Sequence, residues 1–249
     1  MPLPDVAPFA ANVLRSAGRN AAEFFFPTLC IACNGPCSPG NPWLCKGCVV
    51  RLARNHDNRD ACPLCAQDRR FAACACGYAW DFPFERIYSL FDFDDTVKEI
   101  THAFKYGNLK SLALYVGKTY AHLVPNDFWE GMDIAVPVPL HFLRALKRGY
   151  NQAERLANGI TCSGATNIAL CGNALQRRRS TRTQTALSKE LRLRNLAGAF
   201  CVRRPDLVRG RGVVLVDDIV TTGATTSGCA RALLDAGARA VRVLSMARD

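Results

Sequence analysis

The sequence predicts an α/β protein, a parallel sheet covered by helices, with a small cysteine-rich module ahead of it. Three observations carry this. Apolar strand-like runs alternate with amphipathic helical stripes from residue 84 onward. One such run, Val213-Val-Leu-Val216, ends in two aspartates and a Thr/Gly turn. Nine of the thirteen cysteines lie between Cys30 and Cys76, which calls for an explanation of its own.

Composition narrows the class. The chain has 249 residues, 49% of them apolar and 21% charged, a balance that suits a globular core plus a small appendage rather than a disordered chain. No eighteen uncharged apolar residues occur in a row, and no basic start followed by an apolar run opens the chain, so a cytoplasmic protein without membrane insertion is expected. Reduced thiols then point to metal ligation rather than a disulfide framework. The net charge of +11 is uneven: residues 1–83 hold 8 Lys/Arg against 6 Asp/Glu, residues 84–249 hold 24 against 15. The basic excess of the larger part attracts polyanions, whether sugar phosphates, nucleotides or nucleic acid.

Taken in order, residues 1–26 form an arm in which Val13, Ala17, Ala21 and Phe24 fit one helix ended by Pro27, or a frayed tail. Residues 27–83 show little periodicity and too few apolar residues for an independent core, so something other than burial has to hold them. Residues 84–249 form the main domain. There, residues 86–93 read as a strand. A helix with Val97, Ile100, Thr101 and Phe104 on one face follows, and then a second stripe of Leu112, Val116, Tyr120 and Leu123. Residues 133–138 are the next strand, followed by a basic loop and a helix carrying Ala153, Leu156, Ala157 and Ile160. A short strand is expected within 166–170. The strand from Val213 runs into Asp217, the helix with Ala230, Leu233 and Leu234 ends at Gly237, and a last strand covers 240–246. Apolar strands alternating with helices make a parallel sheet.

Cys30-x-x-Cys33, Cys45-x-x-Cys48 and Cys62-x-x-Cys65 are knuckle pairs, and Cys74-x-Cys76 is a tighter fourth. Two pairs complete a tetrahedral Zn²⁺ site. Sequential pairing assigns Cys30, Cys33, Cys45 and Cys48 to one ion and Cys62, Cys65, Cys74 and Cys76 to a second, with Cys37 a spare ligand and an iron–sulfur cluster the alternative use of four thiolates. A fully cysteine-ligated ion has no open position for water, so its work is folding, not catalysis.

The string Val213-Val-Leu-Val-Asp-Asp-Ile-Val-Thr-Thr-Gly-Ala-Thr225 joins parts with distinct chemical uses. Ligands sit beyond strand ends in open parallel sheets. A turn entering a helix offers backbone N–H groups and a positive dipole end to a phosphate, while Thr hydroxyls add donors and Gly223 allows close approach. Paired carboxylates accept hydrogen bonds from a sugar cis-diol or hold Mg²⁺ through water. Upstream, residues 136–141 lead into Arg144, Lys147, Arg148, Gly149, Tyr150, Asn151 and Gln152, basic and amide donors suited to a pyrophosphate. Residues 177–194 carry seven Lys/Arg against one acid; alone, such a segment reads as a solvated loop.

The thirteen-residue string resembles the PRPP-binding fingerprint of type I phosphoribosyltransferases. That resemblance implies ribose contacts from Asp217 and Asp218, a 5′-phosphate enclosed by Thr221, Thr222, Gly223, Ala224 and Thr225, and Mg²⁺ on ribose and pyrophosphate oxygens. Together with the cysteine knuckles, Val-Pro-Val-Pro followed by Arg-Gly-Tyr-Asn-Gln, Thr-x-x-Gln-x-x-Leu and Arg-x-x-Asn-Leu-x-Gly-Ala-Phe, it resembles the ComF family from about residue 24 to the C-terminus. Tyr150 stands where Phe is commoner, and Cys74-x-Cys76 replaces a wider knuckle. The resemblance implies a type I phosphoribosyltransferase-like domain with an N-terminal zinc ribbon, acting in DNA uptake or utilisation, with single-stranded DNA and other DNA-uptake proteins as candidate partners. It also implies a loop from Thr181 to Asn195 that closes over PRPP.

Two readings follow. As a phosphoribosyltransferase, the chain would hold the ribose with Asp217 and Asp218 as catalytic residues and steady the departing pyrophosphate with Arg144, Arg148, Arg178 and Gln184. No motif identifies an acceptor. As a catalytically silent PRPP sensor or single-stranded DNA scaffold, it would pair its basic face with aromatic rings, for which Trp43, Tyr78, Trp80 and Phe82 are candidates unless they pack onto the larger domain.

Overall fold

The structure, a computed structural model, describes residues 28–37, 40–57, 61–62, 66, 82–107, 109–140, 146, 148–178 and 198–249. The predicted helix within 1–26, Cys65, Cys74, Cys76, Tyr78, Trp80, Arg144, Lys147 and residues 179–197, including Gln184, lie outside them. The chain divides into two compact units, Met1–Arg51 and Leu52–Asp249.

In the first unit, the bridge between Leu29 and Pro36 closes a tight turn, with Asn34 at φ 58. Cys30 N–H donates to the Gly35 carbonyl at 2.7 Å and Asn34 N–H to the Cys30 carbonyl at 2.8 Å. Helix α1, Lys46–Asp57, begins here and continues past the division. Its existence is a difference from expectation: Cys48 and Leu52 are fully buried one helical turn apart, with Leu44 buried just ahead of the helix, a spacing that the knuckle pattern hides.

The second unit is built on a five-stranded, all-parallel sheet. Its elements are β1 (Ile87–Asp92), α2 (Asp95–Tyr106), α3 (Lys110–Tyr120), the short α4 (Asn126–Trp129), β2 (Ile134–Pro137), α5 (Gln152–Thr161), β3 (Ala169–Leu170), β4 (Leu175–Arg177), β5 (Phe200–Val202), β6 (Gly212–Val220), α6 (Ala224–Asp235) and β7 (Ala240–Arg248). Strand order is β1-β7-β6-β2-β3, with parallel pairing throughout. Val213, Val214, Leu215 and Val216 are all completely buried, so both faces of the sheet are covered. One face packs Val213, Leu215, Ile134, Val136, Val241 and Val243 against Cys229, Ala230 and Leu233 of α6.

The stripes read from the sequence are buried as expected at Val97, Ile100, Thr101 and Phe104 in α2, Leu112, Val116 and Tyr120 in α3, and Ala153, Leu156, Ala157 and Ile160 in α5; Leu123, read as the end of the second stripe, lies half-buried in a 3-10 turn beyond α3. Asp94 caps α2 through Val97 N–H at 2.8 Å. The β4–β5 hairpin was not anticipated. It pairs Leu175 with Val202 and Arg177 with Phe200 in antiparallel register, and three-residue strands are too short to show a period.

Helices α3 and α5 cross at two glycines. A Cβ on Gly159 would overlap the Leu114 carbonyl oxygen, and one on Gly117 the Leu156 carbonyl oxygen; neither obstacle is a side chain that can swing away. Gly159→Ala is therefore expected to destabilise the fold by about 1–3 kcal/mol despite alanine's better helix propensity, read from urea unfolding. An unchanged midpoint would mean the helices separate freely.

Candidate functional site

The chain runs rightward from β2 to the edge strand β3 and then crosses back to β6 on the other side of β2. Between β2 and β6 the winding reverses, and the crevice at the carboxyl ends of such a pair is where open parallel sheets bind ligands. Both predicted loops leave from this crevice. Pro137 lies opposite Val216 in the register, and Val138 N–H donates to the Val216 carbonyl at 2.8 Å, so the segment after β2 departs directly beside Asp217.

Strand β6 does not stop at Val216. It continues through both aspartates to Val220, with Asp217 opposite Ser245 and Ile219 opposite Ala247. The aspartates are thus held on sheet backbone rather than on a loop. Asp217 is 9% exposed and Asp218 half-buried. Asp218 N–H donates to Asp217 Oδ1, and Ile219 N–H to Asp218 Oδ1, each at 2.9 Å. Burial, and next the charge and side-chain hydrogen bond of Asp218, push the Asp217 carboxyl well above the ordinary carboxylate range, against the opposing pull of the Asp218 N–H and then of Lys105. Lys105, near the end of α2, brings its Nζ to 3.8 Å from Asp218 Oδ2.

The turn after β6 is braced from the C-terminus. Arg248 Nη1 donates to the carbonyls of Val220 and Thr221, and Asp249 N–H donates to the Val220 carbonyl. Thr221 is exposed, Thr222 and Thr225 are half-buried, and Gly223 and Ala224 are buried. Gly223 occupies the N-cap of α6 at φ 73 with no side-chain cap, a left-handed conformation that favours glycine. The first N–H groups of a twelve-residue helix therefore open toward the turn without a side-chain acceptor.

The segment after β2 departs in part from expectation. Arg148 is half-buried, donates to Gln152 Oε1 at 3.3 Å and stands 5.8 Å from the ring centroid of Tyr106. Asn151 and Gln152, read as pyrophosphate donors, have structural duties. Asn151 caps α5 through Ala153 N–H and donates to the Val138 carbonyl. Gln152, 1% exposed, donates to the Phe104 carbonyl at 3.1 Å. Tyr150 donates to that carbonyl at 2.5 Å. Arg178 is exposed just past β4, its N–H bonded to the Ala199 carbonyl. Phe82 stacks on Phe84 at 4.8 Å and packs on the core, which removes it from the candidate nucleic-acid contacts.

Lys105 and Arg248 touch the candidate site, at Asp218 and at the turn after β6, and sequence reasoning missed both. Lys105 follows an apolar stripe and reads as the basic last turn of a helix, which complements the helix dipole anyway; only the fold brings it to Asp218.

In the first unit, the Sγ atoms of Cys30, Cys33, Cys45 and Cys48 all lie within 4.8 Å of one another, Cys33 and Cys45 at 3.6 Å. Zn–S bonds of about 2.3 Å in a tetrahedron set sulfurs about 3.8 Å apart, so the quartet fits a closed Zn²⁺ site. Burial raises the Cys30 thiol, but hydrogen bonds from backbone N–H groups of Cys45, Ala32 and Cys33 and from the Cys48 thiol outweigh it and bring it down to about 7, favouring the thiolate that a metal needs. Of the second predicted quartet only Cys62, buried, is among the described residues.

Residues 137–248 match the phosphoribosyl transferase domain family. The chain is 31% identical over 231 residues to DNA utilization protein YhgH of Escherichia coli (strain K12), covering 89% of this chain and 97% of that one. It is 27% identical over 239 residues to competence protein F of Haemophilus influenzae, covering 90% and 98%. To competence protein ComFC of Bacillus subtilis (strain 168) it is 24% identical over 233 residues, covering 84% and 90%. With a phosphoribosyltransferase-type domain behind a cysteine quartet and end-to-end similarity to these proteins, the chain belongs to the ComF family.

Proposed function

We propose that this protein binds PRPP with Mg²⁺ in the crevice between β2 and β6 and acts in the uptake or utilisation of DNA. The observation that carries the ligand is that β2 and β6 end side by side at the point where the strand order reverses, with Pro137 opposite Val216. The process rests on the relatives named for DNA utilisation and competence.

In this reading Asp217 and Asp218 accept hydrogen bonds from the ribose hydroxyls, and Thr221, Thr222, Gly223, Ala224 and Thr225 wrap the 5′-phosphate at the N-terminus of α6. Arg148, Arg178 and, outside the described residues, Arg144 neutralise the pyrophosphate, with Gln184, also outside them, as an uncharged donor. Among the described residues, the cysteine quartet is the one group of three or more metal-ligating side chains gathered for an ion. Mg²⁺ would therefore be held chiefly by ligand oxygens and water, which suits its preference for phosphates over all-protein cages. When bound it supplies positive charge against the developing pyrophosphate; the chain's own part is to position the ribose and exclude water. Zn²⁺ in the Cys30, Cys33, Cys45 and Cys48 site holds the N-terminal module together. Among the described residues no helix is long and apolar enough to cross a membrane.

A thermal-shift titration tests the ligand. At about 100 times Kd, PRPP adds roughly 2.7 kcal/mol to a one-site protein, a rise of roughly 5–10 °C for a chain of this size. The rise should require Mg²⁺ and vanish in Asp218→Ala, whose circular dichroism stays that of the wild type. A wild-type protein that PRPP does not stabilise would sink the reading.

A further inference from the structure

We propose that Cys37 is an exchange ligand of the Cys30, Cys33, Cys45 and Cys48 site: when Cys33, the exposed ligand, is lost, the Cys37 sulfur takes its place and the Zn²⁺ stays. The inference rests on the reading of the quartet as a zinc site and adds a fifth cysteine to it.

The hairpin puts Cys37 on the metal's side. Cys37 N–H donates to the Thr28 carbonyl and Cys30 N–H to the Gly35 carbonyl, the two bonds that flank the antiparallel bridge between Leu29 and Pro36. Cys37 therefore lies opposite Thr28, and Cys30 opposite Gly35. Side chains alternate along each strand, so Leu29 and Pro36, both exposed, share one face, and Cys30 and Cys37 share the other. The Cys30 sulfur meets the other three of its quartet, which makes that second face the one turned to the ion. Cys30 and Cys37 are diagonal neighbours on it, with Cα atoms about 7–8 Å apart and Cβ atoms closer. Such a pair is too wide for an unstrained disulfide, whereas two sulfurs sharing one Zn²⁺ need to approach only to about 3.8 Å. Burial, and then the charges of Cys30, Cys45 and Cys33, raise the Cys37 thiol, so three of the four sulfurs are near enough for it to feel them.

Cys37 stands outside the quartet whose sulfurs lie within 4.8 Å of one another, so it does not ligate in the resting arrangement. Cys33 is the ligand most open to loss: it is exposed, Cys45 is half-buried, and Cys30 and Cys48 are completely buried. The exchange also preserves the layout of the site. Cys33 and Cys37 belong to one hairpin, so that hairpin still supplies two ligands, while Cys45 and Cys48 supply two from the start of α1. Loss of Cys45 or Cys48 would take a ligand from the other arm, which Cys37 does not belong to. In the exchange the Zn–S bond to Cys33 is broken and one to Cys37 forms, with the Cys37 proton released to solvent; no oxidant takes part.

Zinc release from the full chain to a chromophoric chelator tests this in wild type, Cys33→Ala, Cys37→Ala and Cys33→Ala/Cys37→Ala, with Co²⁺ substitution as a second reading. Cys37→Ala should match wild type and Cys33→Ala should stay within about tenfold of it, while the double variant should lose on the order of a further hundredfold, one ligand's share of the binding free energy. Thiolate-to-Co²⁺ charge-transfer absorption should keep its wild-type intensity in Cys33→Ala and fall in the double variant. Equal affinities in Cys33→Ala and the double variant overturn the proposal, whether both keep the ion or both lose it. Failure of the zinc reading shows separately, as wild-type protein that carries no zinc, and overturns the proposal with it.

Discussion

Stripping the metal from the Cys30, Cys33, Cys45 and Cys48 site is expected to unfold the N-terminal unit while the sheet keeps its structure. Among the described residues of Met1–Arg51, the buried apolar side chains are Cys30, Leu44 and Cys48, and two of these three are the ligands. Ordering a residue costs about 1–2 kcal/mol of backbone entropy, which one leucine cannot offset over a segment of this length, whereas structural Zn²⁺ in small modules contributes about 10–16 kcal/mol. Purified protein should carry zinc, remain colourless, and on chelation lose amide-exchange protection across residues 28–37 and 40–51, regaining it when zinc is restored. A brown protein absorbing in the visible would identify an iron–sulfur cluster instead. Cys45→Ser should behave like the chelated wild type. Cys162→Ser, which removes an exposed thiol of the larger unit, should not. Protection that survives complete metal removal would show that contacts other than the metal hold the module.

What the sequence disclosed and what it hid divide along one physical line. The string from Val213 to Thr225 was legible because each of its parts acts locally: an apolar run makes the strand, the turn must follow it, and Gly223 allows the backbone to enter α6 from the left-handed region. The first cysteine quartet was legible for a similar reason, since two-residue gaps preset each pair of ligands. Long-range contacts left no such trace. Lys105 meets Asp218 only because α2 and β6 pack in one domain, and β4 meets β5 across a segment of more than twenty residues. The loop after β2 is open to two readings because a helix cap and a pyrophosphate subsite use the same residue types. Asn151 and Gln152 are donors in either case, and in the structure their amides donate to the Val138 and Phe104 carbonyls.

Asp217→Asn is expected to make the protein more stable and a poorer PRPP binder. Desolvation and the neighbouring Asp218 hold the Asp217 carboxyl well above its ordinary value in the folded chain. A group raised in this way stabilises the fold fully only at pH values below its unfolded pKa. Above about pH 4 the unfolded chain gives up the proton first, and wild-type stability falls by up to about 1.4 kcal/mol per pH unit until the folded carboxyl ionises as well. Asparagine has no proton to lose, so the advantage of the variant should be flat below about pH 4 and widen above it. Urea unfolding of both proteins at a series of pH values reads this difference directly, with contributions from distant groups cancelling. Parallel curves would mean that Asp217 titrates normally in the fold. On the ligand side the amide keeps one acceptor oxygen but loses the charge, and a charge-assisted hydrogen bond exceeds a neutral one by about 1–1.5 kcal/mol, so PRPP affinity should drop on the order of tenfold. The two effects have opposite signs because they share one cause. The carboxylate is desolvated in the crevice, where it accepts from the Asp218 N–H, and ribose hydroxyls would add further donors to it, so stability would be given up in the free protein for affinity in the complex.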